Sequence, residues 1–425
     1  IEAAAMGLEG VEIALDFHPF NPTKLLPGEI PGSKREEMRR VAAELNLHLS
    51  YHSPIVGPYP GGRPGKRGLF YDPAENVELM REMIELAAET GAGSVVIHLI
   101  DAGSLERIAE IVGYASGTDV RVTLENYYDT GFRQDSRGFI SVLERLKGML
   151  ADELLERNFG ITFDPGHYNL EGEDPIISAA RVGRWCRENG VRIEKVHATV
   201  NYGPLRFSPP NYSADIHDRV SNKGINNELI VKLLRSMGHE FVVVAEQIPP
   251  LSERDIELID SAQRAELESF ESYVERGREL LGDPDLDEAY CFIAGLGGVG
   301  ALREYMIYRR IQGISQMTSE TARAATVAFM GLSESERERA VRSLEELVSS
   351  IAVLSDELPP SQVAEVCDRL KGAILDSINR EMLNELVSEV RRIEPGQVIC
   401  REGERGDEMF YLCLLYTSDA ADDGE

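Results

Sequence analysis

Phe159-Gly-Ile-Thr-Phe-Asp-Pro-Gly-His167 reads as a buried strand that ends in a turn carrying Asp164 and His167. Four similar stretches surround it, each an apolar run closed by His or Glu. They are Ser94 to His98, Arg121 to Glu125, Glu194 to His197 and Phe241 to Glu246. Packing alone does not explain strands whose last residue is a metal-type ligand. A buried ionised group is costly unless it is paired or bound to a metal.

Outward from that stretch, helix and strand alternate. Gly10 to Leu15 and Leu47 to His52 read as strands. Helical periodicity falls at about 34–45, 74–90, 104–116, 138–155, 174–189 and 226–237. Strict alternation predicts a parallel sheet. The strand ends recur at the spacing of one βαβ unit. Seven strands are legible, and eight would close a (β/α)8 barrel with its site at the carboxyl ends of the strands. The expected fold is therefore α/β: a (β/α)8 TIM-type barrel over residues 1–250 that lacks its first strand. An open doubly wound sheet is the alternative, but it would gather ligands at one switch point. A helical region is expected over 251–360 and the start of an incomplete β-roll over 361–412. Residues 413–425 read as a non-native tail, and the chain as a fragment cut at both ends.

Composition narrows the function classes. Hydrophobic residues make up 43% of the 425, enough for a sizeable core. No apolar run is long enough to cross a bilayer and no secretory signal is visible, so no membrane partner is expected. The five cysteines show no paired spacing. That suits a reducing, cytoplasmic setting and offers no CxxC metal site. The net charge of −29 lies mostly in the C-terminal part and speaks against non-specific binding of nucleic acid.

Of eight histidines, five sit at or just past strand ends: His52, His98, His167, His197 and His217. A lone His on an apolar strand is usually a satisfied core residue. Here Glu125, Asp164, Asp215 and Glu246 fall on the same rim, which favours a metal site over a structural polar network. Mixed His and carboxylate ligands suit Mn, Zn, Fe or Mg rather than thiolate metals. Arg63, Lys66, Arg67, Arg133 and Arg206 fall on loops of the same face. They are candidates for holding a substrate phosphate or carboxylate, with solvated loop charges as the alternative.

Residues 2–247 resemble the xylose isomerase-like barrel superfamily, which includes sugar-phosphate isomerases and epimerases and the endonuclease IV-type enzymes (AP endonuclease family 2). The matching pieces are Gly-Val-Glu-Ile, Tyr-His-Ser-Pro, Val-Ile-His, Leu-Glu-Asn, Thr-Phe-Asp-Pro-Gly-His, Lys-Val-His and Ala-Glu-Gln, in that order. The resemblance implies a single-metal quartet of Glu125, Asp164, His197 and Glu246, with His167 touching substrate. It implies that Glu125 and Glu246 move a proton through an enediolate stabilised by the metal. The implied function is a divalent-metal-dependent isomerase or epimerase of a sugar or sugar phosphate. An endonuclease IV-like zinc phosphodiesterase is the alternative, with His52, His98, His167, Asp215 and His217 as extra ligands. His98 is followed by Leu99-Ile100 where those enzymes carry Pro-Gly.

Two further motifs stand outside the barrel. Gly295-Leu-Gly-Gly-Val-Gly300 fits G-x-G-x-x-G. No second strand ending in an acid comes after it, so a helix–helix contact is expected rather than a dinucleotide site. Ile374 to Leu386 and Ile393 to Leu412, with Pro-Gly and Glu-Gly-Glu-Arg-Gly-Asp turns, resemble the opening of a cyclic nucleotide-binding domain. The resemblance implies that a cyclic nucleotide is a partner only of a longer protein, and that 393–425 are poorly ordered here. A non-catalytic ligand-sensing barrel is the third functional class this leaves open, and an oligomer is compatible with it.

Overall fold

The structure is a computed structural model, and it describes residues 2–14, 27–53, 63–65, 68–70, 76–98, 105–127, 135–201, 225–246 and 251–328. Seven parallel strands form one curved sheet: β1 (Gly10–Ala14), β2 (His48–His52), β5 (Ser94–His98), β6 (Arg121–Glu125), β7 (Phe159–Phe163), β8 (Ile193–Ala198) and β9 (Val242–Ala245). They are hydrogen-bonded in that order and make a nearly closed TIM-type barrel. Residues Arg63–Gly65 (β3) and Gly68–Phe70 (β4) pair separately as an antiparallel ribbon.

The two faces of each strand differ in chemistry. Tyr51, Val95, Ile97, Val122, Leu124, Ile161, Phe163 and Val196 join the main hydrophobic cluster. The alternate positions Ser50, His52, Ser94, His98, Thr123, Glu125, Thr162, Lys195 and His197 are polar, and all are buried. Strand side chains alternate with period two, so this pattern separates an outer apolar face from an inner polar one. The outer face packs on α2 (Gly32–Glu44), α3 (Val77–Thr90), α4 (Leu105–Ala115), α5 (Ser136–Lys147), α6 (Asp152–Arg157), α8 (Pro175–Asn189) and α9 (Asn227–Ser236). The short α1 (Glu2–Ala5) leads into β1. The expected single helix over 138–155 is two, because Gly148 closes α5 before Asp152 opens α6.

Helix starts are set by side-chain caps. Asn76, Asp135, Asp174 and Asn226 each accept from a backbone N–H of the first turn of α3, α5, α8 and α9. The turn after β7 is the informative case. Asp164 caps α7 (Pro165–Leu170) by accepting from His167 N at 2.9 Å, and Pro165 sits where a helix needs no donor. The sequence-expected turn is thus a short helix.

Beyond the barrel, α10 (Glu253–Arg264) opens with a Ser252–Asp255 capping box and lies against α9, where Arg235 donates to Ala262 O and Ala265 O. The helices α11 (Phe270–Leu281) and α12 (Glu288–Ala328) then pair. A Cβ on Gly277 would lie 1.8 Å from Cys291 O, and one on Gly295 would lie 1.9 Å from Tyr273 O. The first glycine of the G-x-G-x-x-G stretch therefore serves a close helix–helix approach. Gly298, at φ 80°, breaks α12. The segment resembling a cyclic nucleotide-binding domain lies outside the described residues. No described helix is long and apolar enough to cross a membrane.

Candidate metal centre

The strand ends meet as the sequence implies. His52 closes β2, His98 closes β5, Glu125 closes β6, Asp164 succeeds β7, His197 lies in β8 and Glu246 succeeds β9. All except Glu246 are buried. Glu125, Asp164, His197 and Glu246 each offer a ligand atom, and these atoms lie within 4.8 Å of one another. His197 Nδ1 is 3.1 Å from Glu125 Oε1, 3.0 Å from Glu246 Oε2 and 3.9 Å from Asp164 Oδ2.

A second group shares Glu125. His52 Nε2 and His98 Nε2 lie 3.3 and 3.2 Å from Glu125 Oε2. His52 Nδ1 lies 2.8 Å from Ser53 O, an atom that only accepts, so Nδ1 carries the proton. The lone pair of a neutral His52 Nε2 would then face a carboxylate oxygen. Two acceptors at that distance need a proton or a cation between them.

The orphaned atoms fit a cation. Glu125 Oε2, Asp164 Oδ2 and His52 Nε2 are buried without a hydrogen-bond partner. Asp164 commits Oδ1 to capping α7 and keeps Oδ2 toward the cluster. Mixed imidazole and carboxylate donors of this kind hold Zn, Mn or Fe well.

Charge in the cluster is strongly coupled. Burial is the largest effect on Asp164 and pushes its carboxyl up to about 7, with the charges of Glu125 and Glu246 adding to it. Burial also opposes ionisation of Glu125, but the imidazoles of His197 and His98 outweigh it and hold that carboxyl well below its usual range. Burial would lower His52, yet the charge of the adjacent Glu125, with Glu12 and Glu246 adding to it, pushes it up to about 9. His197 is driven well above its usual value by Glu125, Glu246 and Glu12 against the pull of burial. Burial lowers His98. The carboxylates thus draw positive charge onto His52 and His197, as a metal ion would satisfy them.

Neighbouring residues hold the candidate ligands in place. Asn126 donates to Asp164 O at 2.8 Å and accepts from Asp164 N at 3.0 Å, stapling the ends of β6 and β7. His167 Nδ1 lies 2.7 Å from Asn126 O, which fixes the proton on Nδ1. A Cβ on Gly166 would lie 2.5 Å from Thr199 Cγ2, so any side chain here would force its neighbours to shift. The Asp-Pro-Gly-His part of the run is thereby accounted for residue by residue: cap, helix start, close approach and imidazole.

Not every expected site residue falls among the described ones. Arg63 opens β3, while Lys66, Arg67, Arg133, Arg206, Asp215 and His217 lie outside the described residues. Other residues were missed from sequence. Tyr127 lies against both His98 and His167, tilted to the first and edge-on to the second, with ring centroids 4.5 and 5.1 Å away. Glu12 of β1 lies 2.5 Å from Lys195 Nζ and 3.0 Å from His197 Nε2. The available signal was a lone acid in the apolar strand β1 and a lysine two residues before His197 in β8.

Known proteins place the chain in a family. The chain is 26% identical over 184 residues to an uncharacterised protein of Methanocaldococcus jannaschii, covering 40% of this chain and 56% of that protein. It therefore spans about half the length of that relative. Among solved structures, the xylose isomerase domain protein from Planctomyces limnophilus is 15% identical, with TM-score 0.43, over 62% of this chain and 90% of that one. D-psicose 3-epimerase from Clostridium cellulolyticum H10 is 12% identical, with TM-score 0.38, over 71% of this chain and 91% of that one. The family described as "Xylose isomerase-like TIM barrel" matches residues 1–262, more than half of the chain. On that match, over a barrel whose strand ends converge on imidazoles and carboxylates, the chain belongs to the xylose isomerase-like TIM barrel family.

Proposed function

We propose that the chain is a divalent-metal-dependent isomerase or epimerase of a sugar, a sugar phosphate or a related polyhydroxy compound. One observation carries the reading: Glu125, Asp164, His197 and Glu246 converge inside a barrel of this family. A bound divalent ion supplies Lewis-acid polarisation of a substrate carbonyl and makes the neighbouring proton more acidic. The side chains then divide the remaining tasks. Glu246 is a third exposed, whereas Glu125 is fully enclosed by imidazoles. Glu246 is therefore the better placed to take a substrate proton and return it, with Glu125 as the opposing carboxylate. His167, with Nδ1 tied to Asn126 O, is oriented to hydrogen-bond a substrate oxygen through its other nitrogen. The basic residues Arg63, Lys66, Arg67, Arg133 and Arg206 remain the candidates for an anionic group on the substrate.

A specific observation favours a second reading. His52 and His98 form a second ligand group around the same Glu125. A carboxylate shared by two ligand sets suits a pair of cations, and paired cations suit hydrolysis of a phosphodiester. Metal-loaded protein separates the two. Incubation with candidate ketoses in deuterated water should place deuterium beside the carbonyl under the isomerase reading. No incorporation from any ketose, together with cleavage of a phosphodiester, would replace it with the second.

A further inference from the structure

We propose, on the metal-centre reading above, that Glu12 is a positioning residue for the metal ligand His197, holding the ring by its far nitrogen so that Nδ1 faces the carboxylates. His197 is addressed on opposite edges. Its Nδ1 meets Glu125, Glu246 and Asp164, and its Nε2 lies 3.0 Å from Glu12 Oε1, at ion-pair distance and outside hydrogen-bond geometry. A ring whose second nitrogen is paired with a carboxylate has its tautomer and orientation biased, and its ligating nitrogen made more basic.

Glu12 is itself built into the barrel interior. Its Oε2 accepts from Lys195 Nζ at 2.5 Å and from Ser50 Oγ at 2.9 Å. Ser50 is its register partner on β2, and Lys195 precedes His197 by two residues on β8. Lys195 is 2% exposed and Glu12 9% exposed. With Oε2 committed twice, Oε1 is the oxygen left toward His197. Three strands thus fix one carboxylate oxygen beneath the metal ligand. A purely structural role, neutralising Lys195, would not require that second oxygen to meet the ligand ring.

The test is competitive titration of the full chain with Zn2+ alone against a chromophoric chelator. Wild type is compared with E12Q and with the double substitution E12L/K195M, which removes both charges. E12L/K195M should bind Zn2+ about 10–100-fold more weakly, the usual effect of losing such a partner. E12Q keeps an acceptor oxygen and should lose less. Unchanged affinity in folded variants would overturn the role of Glu12 while leaving the metal centre standing. Absence of Zn2+ binding by wild type would instead remove both. Should the variants fail to fold, nitrogen-15 histidine spectra of Zn2+-loaded wild type decide the matter. A His197 ring protonated at Nε2 supports the proposal, and one metallated at Nε2 overturns it.

Discussion

Tyr305 donates its hydroxyl to Asp174 Oδ1 at 2.5 Å, joining the helix beyond the barrel to the residue that caps α8. Tyr290 donates to Asp174 Oδ2 at 3.0 Å, and Arg309 Nε lies 3.3 Å from the same oxygen. Arg309 also donates to Asn169 Oδ1 at 2.9 Å. Asn169 donates to Asn201 Oδ1, and Asn201 donates to Gly166 O. A hydrogen-bonded path therefore runs from α12 to the turn that carries His167. Hydrogen bonds to a charged group contribute about 1.5–3 kcal/mol. Tyr305→Phe should cost stability of that order in urea unfolding of the full chain. A loss below about 0.5 kcal/mol, the level of an ordinary surface change, would show that α12 is only loosely docked.

Gly166→Ala tests the same turn from the other side. The added Cβ would overlap Thr199 Cγ2 and press on Asn201 Nδ2, at 2.5 and 2.9 Å. Overpacking of this kind costs about 1–3 kcal/mol. Because Asp164 and His167 flank the glycine, Zn2+ affinity should fall together with stability. A melting temperature and a dissociation constant both equal to wild type would refute the tight packing of this turn.

The metal-free protein should lose stability as pH rises from about 6.5 to about 9. His52 is raised in the fold to about 9, chiefly by Glu125 acting against burial. A base with a raised folded pKa binds its proton more tightly when folded. Its contribution is complete below the unfolded value of about 6.5 and is lost as pH passes the folded value. Asp164, raised by burial to about 7, acts in the same direction at lower pH, from about 3.9 upward. Zn2+ affinity should rise over the same range, since both ligands must shed protons to bind. Thermal unfolding against pH, with and without Zn2+, checks both slopes; a flat apo profile would contradict the charge coupling of the cluster.

Glu246→Gln should sharply slow deuterium uptake by a ketose substrate, because an amide cannot accept the proton. The rate is expected to fall by about 100–10,000-fold, the range of general-base effects. Retained exchange would assign the proton to another group.

Much of this arrangement was legible in the sequence. Strand periodicity and a terminal His or acid place Glu125, Asp164, His197 and Glu246 on one rim because parallel strands share a direction. Glu12 and Lys195 were not legible: Glu12 is one acid in an apolar strand, Lys195 follows Glu194 in a strand already rich in polar residues, and only barrel curvature brings β1 to β8. Tyr127 was missed because an aromatic after a strand end has many structural uses. The G-x-G-x-x-G stretch was separable from a dinucleotide site because the residues after Gly300 are helical, and the contact of Gly295 with Tyr273 O supplies its physical role. The linkage of α12 to Asp174 rests on tyrosines more than a hundred residues away, which no local pattern announces.

Metal content after reconstitution tests the central claim most directly. Chelator-stripped protein is dialysed against Zn2+ or Mn2+ and measured by mass spectrometry, beside Asp164→Asn and Glu125→Gln. Wild type should retain at least one equivalent per chain, and both variants should lose it. Wild type that retains no more metal than the two variants would contradict a metal centre at these strand ends.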